Sequence, residues 1–482
     1  MTRNRSIEML DIKTTLDDFI RILNSDEITS AAKTTARGFT QTRKITLLDV
    51  LMFYTFRFAE TTNKDISSLF SKLEKPKVSK QGMFKALNKL NPDVFPIIIN
   101  HLAEKFYSHG DYKTLDGYIV LACDGTKMDL PPSDEMKEAF GGYLNQNITE
   151  YSRIRKPQAN CSILIDVVNH VILDAMVRPC MTSEIPMLFQ HLENCERMLQ
   201  GKRIILLCDR YYGSAELYLY CMIHGYKYIV RNKSYAYRDY TSRIDTDGEI
   251  TVPFNKAWYQ RMKRDDCREY AQNLAALPLR VVKNRYEYIL SERKKKQEPT
   301  VIESVYLSNL DSELFPTERI VSLYHTQRWD NETAYLDIKS HLEAERFNSG
   351  KHNIVVNEIY GKILCYVLCG RLYENASAHK QRPGRKNLYA YIPNMKYICD
   401  AVRMEHKLIQ YIRGLVTRDM EAYLGALIED LSRHLVPVRP GRHYRRWGRW
   451  MSSIPTSKYR IDGRRNPLIK KCYKGKGYMT SQ

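Results

Sequence analysis

Four residues in the stretch His325-Thr-Gln-Arg328-Trp-Asp-Asn-Glu332-Thr-Ala-Tyr-Leu-Asp-Ile-Lys339 have types and spacing suited to phosphate chemistry. On a helix at about 100° per residue, His325, Arg328, Glu332 and Lys339 fall within roughly 60° of one another. The result is a narrow stripe carrying a carboxylate between fixed cations. A solvated helix face can carry the same residues, because Glu and Lys populate helix surfaces freely. The chemical alternative is a carboxylate that holds a metal beside cations that hold phosphates. Alone, the stripe favours the surface reading, so other elements must supply its partners.

Two apolar, β-branched runs each lead into such a partner. Tyr118-Ile-Val-Leu-Ala-Cys123 runs into Asp124-Gly-Thr, and Arg203-Ile-Ile-Leu-Leu-Cys208 runs into Asp209-Arg-Tyr-Tyr212. Each reads as a buried strand that stops at a carboxylate, near the C-terminal end where crevices form in open α/β sheets. Both aspartates follow a cysteine, as though two sites were built alike. Asp111, Asp116, Asp129 and Asp134 lie in turn-like or polar surroundings and are set aside. Glu343 falls near the same stripe on a helix expected over 317–346, roughly 16 Å beyond Glu332 at 1.5 Å per residue, and should be neutral.

Asp124, Asp209 and Glu332 thus come from two strand ends and one helix. Three such groups can hold two Mg²⁺ ions roughly 3.5–4 Å apart, which clamps the entering and leaving oxygens of an in-line phosphoryl displacement. Water or a hydroxyl loses its proton readily on such a metal, so no histidine base is required.

The elements around these residues alternate. Runs at 160–168 and 171–178 flank the turn Asn169-His170 as a hairpin. A helix over 183–199, the strand at 203–208, a helix over 215–224 and a strand over 226–231 follow. This order predicts a mixed α/β sheet. Between Lys233 and about Leu310 the rhythm breaks. Runs beginning at Leu279, Arg285 and Glu303 read as three antiparallel strands of a β-rich insertion, with charged 291–299 between the last two. The apolar helix 357–372 packs behind the stripe, and a helical module covers 396–435.

Residues 1–110 read as mostly helical. Ser79 is a good N-cap for a basic helix, and with the preceding segment it suggests a helix-turn-helix-like unit whose Lys80, Gln81, Lys85 and Lys89 face DNA. An ordinary helical hairpin with a basic face fits equally well.

The 482 residues carry 75 Lys and Arg against 55 Asp and Glu, a net charge of +20. That excess points to a polyanionic partner, nucleic acid before a membrane surface. Hydrophobic content of 43% is that of a globular protein. Between 439 and 476 there are thirteen Lys or Arg and one acid, Asp462, with Tyr444, Trp447, Trp450 and Tyr459 interleaved. Phosphate contacts and base stacking both favour a nucleic-acid strand there. The first residues are polar and charged, and no long apolar run follows, so a soluble cytosolic protein without a membrane partner is expected. Eleven cysteines without a Cys-x2-Cys pair argue for free thiols and against a zinc ribbon.

The spacing Arg328-x3-Glu332-x6-Lys339 resembles the DDE transposases of bacterial insertion sequences, the IS-four-type group marked by Tyr-x2-Arg-x3-Glu-x6-Lys. Asp124-Gly-Thr is similar to that group's first Asp motif, and Asp209-Arg-Tyr-Tyr212 to its second. The resemblance covers about 115–375. In the position of the signature's Tyr stands His325, with Tyr324 one residue earlier, so either side chain could fill that role.

The resemblance implies an α/β fold with a ribonuclease-H-like mixed-sheet core, a β-rich insertion, a helical N-terminal region and a basic C-terminal region. The order of elements along the chain places boundaries at 1–110, 111–232, 233–310, 311–380 and 381–482. The resemblance also implies two Mg²⁺ ions, with Mn²⁺ as substitute, held by Asp124, Asp209 and Glu332. Arg328, Lys339, His325 or Tyr324, Arg210 and Tyr212 would meet DNA, and Trp258 is a candidate for stacking an extruded base. The partners implied are double-stranded DNA with terminal inverted repeats, target DNA and a second subunit in a homodimer, at the bacterial nucleoid in the cytoplasm. Two other readings remain: a catalytically silent DNA-binding descendant, and a ribonuclease-H-type nuclease.

Overall fold

The computed structural model describes residues 12–35, 38–39, 44–143, 156–288, 300–380, 389–416 and 418–439. The basic aromatic tail after 439, the loop at 381–388 and the charged stretch 291–299 lie outside them.

Six helices come first: α1 Ile12–Leu23, α2 Asp26–Ala31, α3 Leu47–Phe56, α4 Thr62–Lys72, α5 Lys80–Leu87 and α6 Val94–Ser108. Ser79 caps α5 by accepting from the Gly82 amide at 3.1 Å, as the sequence predicts. Lys80, Gln81, Lys85 and Lys89 are all exposed. The sheet follows: β1 Tyr118–Asp129, then helix α7 Asp134–Phe140, β2 Gly142–Tyr143, β3 Lys156–Asp166 and β4 Val171–Pro179. Helices α8 Glu184–Asn194 and α9 Glu196–Leu199 replace the single helix expected over 183–199, with the break at Cys195. Next are β5 Arg203–Cys208, α10 Ala215–Ile223 and β6 Lys227–Arg231.

The segment expected as a β-rich insertion holds α11 Arg238–Thr241, β7 Asp247–Pro253, α12 Lys256–Arg261, α13 Asp265–Gln272, β8 Ala276–Tyr288 and β9 Thr300–Ser308. Two of its predicted strands are one: β8 runs unbroken because β9 pairs with it from Arg280 to Tyr288. Edge strand β7 escaped the sequence reading, since only Ile250 and Val252 along it are buried. Then come α14 Thr317–Ser340, α15 His352–His379, β10 Ala390–Pro393, α16 Met395–Met404, α17 His406–Ile412, α18 Met420–Arg433 and β11 Leu435–Val438.

One nine-stranded sheet dominates, in the order β2-β3-β1-β5-β6-β9-β8-β7, with β4 also on β3. The β1–β3 and β3–β4 pairs are antiparallel, whereas β1–β5 and β5–β6 are parallel. The strands at 247–308 extend this sheet through β9 on β6 and do not form a sheet of their own.

Helix α15 is the spine of the fold. It is packed on every side and buries a continuous run from Ile354 to Leu372, with a few charged residues among the apolar ones. Helix α3 crosses it closely, with Gly361 at the crossing. A Cβ there would lie 2.5 Å from the Tyr54 carbonyl oxygen. Buried charges lock the same junction: Arg57 pairs with Glu358, and its Nε lies 3.5 Å from Asp65. These side chains are at most 4% exposed. Glu358→Ala is therefore expected to cost about 3–5 kcal/mol, because it removes the closer of the two carboxylates from a buried guanidinium. Urea unfolding checks this; a change below about 1 kcal/mol would mean the pair is spanned by solvent.

Among the described residues no helix is long and apolar enough to cross a membrane. The ten described cysteines are buried free thiols.

Candidate active site

The end of the β1–β5 ladder sets the geometry. Parallel pairing stops at Ala122↔Leu207. Two residues further along the chain stand Asp124, still within β1, and Asp209, one residue past the end of β5, where the two strands have run about 4.8 Å apart up to that point. The expectation that β1 stops at Asp124 needs correction. It continues to Asp129, because β3 holds it from Asp124↔Ile163 to Asp129↔Gln158 after β5 has left. Asp124 thus sits where a strand loses one partner and keeps the other, which opens a crevice beside it.

Helix α14 crosses this opening. The Tyr335 hydroxyl donates to the Asp124 carbonyl oxygen at 2.6 Å and accepts from the Ile163 amide at 2.8 Å. Lys339 Nζ donates to Thr126 Oγ1 and to the Lys127 carbonyl, both at 2.8 Å. These contacts fix the helix over β1 and aim the stripe at the strand ends. Arg328 donates to Glu332 Oε1 at 2.7 Å and lies 4.0 Å from Asp124 Oδ2. One guanidinium therefore joins the first and third acids.

Tyr324 is 4% exposed and shares the crevice, with Arg328 lying 5.5 Å from its ring. Burial raises its pKa, and Asp209 adds to the rise. His325 is exposed and turned to the Tyr306 hydroxyl, 2.9 Å from its Nε2. Burial, Arg231 and Arg328 hold its pKa below the ordinary value. Arg210 is exposed and Tyr212 buried, with the Tyr212 hydroxyl 3.8 Å from Cys123 Sγ. Trp258 lies outside this group, edge-on to Tyr237 and Phe254 at 5.6 and 5.7 Å. Glu343 is also elsewhere. Helix α14 ends at Ser340, and Glu343 takes a left-handed conformation at φ 53° that closes the helix C-terminus. No glycine marks that stop in the sequence.

Burial and the Asp209 charge push Asp124 up to about 7, Glu184 adds to the rise, and Arg328 opposes it. A carboxylate disfavoured in this way destabilises the fold once ionised. With a folded pKa above the unfolded 3.8, the penalty grows as pH rises from about 4 to 7. Asp124→Asn should therefore stabilise the metal-free protein by on the order of 1–3 kcal/mol at pH 8. The gain should shrink steadily as pH falls toward 5. Thermal unfolding with chelator across this range checks it, and a pH-independent difference would contradict the mechanism.

The donor set fits a hard divalent cation: carboxylate oxygens, short of positive charge. Asn331, 1% exposed and one residue before Glu332, has both side-chain polar atoms without a hydrogen-bond partner among the described residues. It shares the helix stripe of Tyr324 and Tyr335. As the side chains stand, no three described His, Cys, Asp or Glu residues are grouped closely enough to hold an ion. Arg328 supplies the positive charge between the acids.

Two features escaped the sequence reading. Ser162 Oγ donates to the Asp124 carbonyl at 3.3 Å, His191 Nε2 lies 3.0 Å from Ser162, and His191 Nδ1 lies 2.8 Å from Asp174. This acid–imidazole–hydroxyl chain is fully buried, so it braces β1 and offers no nucleophile to a substrate. Beside Asp209 there is also a cavity of about 1060 Å³, lined by Arg210, Arg231, Lys233, Arg238 and Lys283 against Glu303. Its cations come from β6, β8, α11 and the loops after β5 and β6, so no local sequence pattern marks it.

Two acids thus lie where the parallel β1–β5 ladder ends, and Asp209 also borders the basic cavity. The Transposase DDE domain family matches residues 116–368. The chain belongs to that family and is an enzyme, a DDE transposase, and the family carries divalent-metal dependence. No curated protein matches the chain. Among solved structures, a cryo-EM structure of a piggyBac transposase synaptic complex with hairpin DNA aligns over 92% of this chain and 88% of that one. Identity is 12% and the TM-score 0.45.

Proposed function

We propose that this transposase binds the ends of an insertion sequence, cleaves DNA there by two-metal-ion phosphoryl transfer, and joins the 3′-hydroxyl ends to target DNA. The observation that supports the reading is that Asp124 and Asp209 each lie two residues past the last parallel pair, with Arg328 at 2.7 Å from Glu332 and 4.0 Å from Asp124. The strand order β4-β3-β1-β5-β6, antiparallel then parallel, supports a ribonuclease-H-like core.

Asp124, Asp209 and Glu332 would hold two Mg²⁺, for which Mn²⁺ may substitute. When bound, the ions supply charge stabilisation at the phosphoryl group and acidify the attacking water or hydroxyl. Arg328 holds the acids together and meets a phosphate. Lys339 fixes α14 to β1 and leads the backbone of the DNA end past Thr126. Tyr324, facing Asp209 and Arg328, takes the signature's Tyr role. The cavity cations, with Arg210 among them, guide the strand toward Asp209.

The group with the Tyr-Arg-Glu-Lys signature, terminal inverted repeats as substrate, a homodimer on paired ends and a place at the bacterial nucleoid complete the proposal. Helix α5 and the basic tail would add DNA contacts. The test is cleavage of DNA carrying the flanking inverted repeats by purified protein with Mg²⁺. Binding without any nicking would favour a silent DNA-binding protein, and cleavage without end joining a nuclease.

A further inference from the structure

A fourth carboxylate approaches the crevice from the other face of the sheet. Helix α14 lies on the face of Asp124 and Thr126, as Tyr335 and Lys339 show. Side chains alternate along a strand, so Gly125 belongs to the opposite face, the one that α8 covers. Glu184 is the first residue of α8. A Cβ on Gly125 would lie 2.7 Å from both Cδ and Oε1 of Glu184, closer than atoms can pack. The Glu184 carboxylate therefore fills the space that a side chain at 125 would take. Gly125 has no positive φ to explain it, so room for that carboxylate is its structural reason.

Nothing nearby neutralises this acid directly. Among the described residues Glu184 makes no ion pair within 4.0 Å, although Lys127 acts on it at longer range and the Tyr212 hydroxyl is its hydrogen-bond partner. It is half-buried and close enough to Asp124 and Asp209 for their charges to act on one another. A half-buried carboxylate held against two others is costly unless a cation joins them. On α14 the buried Asn331 amide, one residue before Glu332, also has no hydrogen-bond partner among the described residues.

We propose that Glu184 is a fourth carboxylate of the crevice, reaching a divalent ion held by Asp124 and Asp209 through the gap that Gly125 leaves in β1. This rests on the metal-dependent reading above. It gives the Asp124-Gly125 pair a joint meaning: one residue supplies an acid, and the next makes way for another.

The test is Mn²⁺ binding to the full chain by calorimetry, with metal-free thermal unfolding alongside. Glu184→Gln should weaken Mn²⁺ binding about tenfold or more. Its metal-free midpoint should not fall, and the rise in midpoint that Mn²⁺ produces should shrink. Gly125→Ala, which displaces the carboxylate without removing it, should reproduce the loss of affinity. Wild-type Mn²⁺ affinity in Glu184→Gln, with affinity lost in Asp124→Asn, overturns the role of Glu184 and leaves the metal site at Asp124 standing. Unchanged affinity in both variants overturns the metal site at Asp124 as well.

Discussion

Replacing Asp124, Asp209 or Glu332 with alanine should each lower DNA cleavage by at least about 10³-fold, the several kcal/mol that metal-assisted charge stabilisation supplies. DNA binding should persist in all three. The structure separates the variants in a further way. Asp124→Ala and Asp209→Ala remove charge from neighbouring strand positions and relieve their repulsion, so both should fold well without metal. Glu332→Ala removes the residue that holds Arg328 at 2.7 Å and leaves the guanidinium to Asp124. It should lose cleavage while keeping a folded crevice. Glu343→Ala is the control, since Glu343 lies beyond the helix end and pairs with Arg346 at 3.2 Å. Full cleavage by Glu332→Ala would remove it from the site.

DNA binding should weaken steeply with salt, by about 10³–10⁵-fold between 50 and 200 mM if six to ten phosphates are contacted. The reason is counterion release, and the net charge of +20 provides the cations. Some of them cluster in the proposed strand-guiding cavity. Arg210, Arg231, Lys233, Arg238 and Lys283 line one cavity beside Asp209. Neutralising Lys233 or Arg238 should weaken binding evenly across sequences and lower the salt slope by about one unit per contact. Fluorescence anisotropy over a salt series measures both. A flat response would remove the phosphate-contact role from the cavity.

The candidate acids could be proposed from the sequence because each rests on a short-range pattern. An apolar run ending in Asp reads as a buried strand meeting a crevice, and the period of a helix puts Arg328, Glu332 and Lys339 on one face. The limits of elements were less legible. β1 runs past Asp124 because β3 keeps pairing there, a fact about a partner some forty residues away. Helix α14 stops at Ser340 on a left-handed Glu343, which no glycine announces. The split of α8 from α9 at Cys195 likewise has no sequence punctuation.

Glu184 shows the deeper limit. In the sequence it is one more acid in the first turn of a helix, placed where dipole and capping preferences put such residues in most helices. Its relation to Gly125 exists only across the sheet. Tyr324 is similar: the spacing left it one residue out of place beside His325, whereas packing buries it against Tyr306 and sets it near Asp209. By itself the sequence singled out the candidate carboxylates, the kinds of element that carry them and the basic surplus of the chain. Local periodicity and composition carry that information. Only the tertiary structure decided which side chains meet, because contacts between α8, β1, β5 and α14 depend on pairings and crossings that no local pattern encodes.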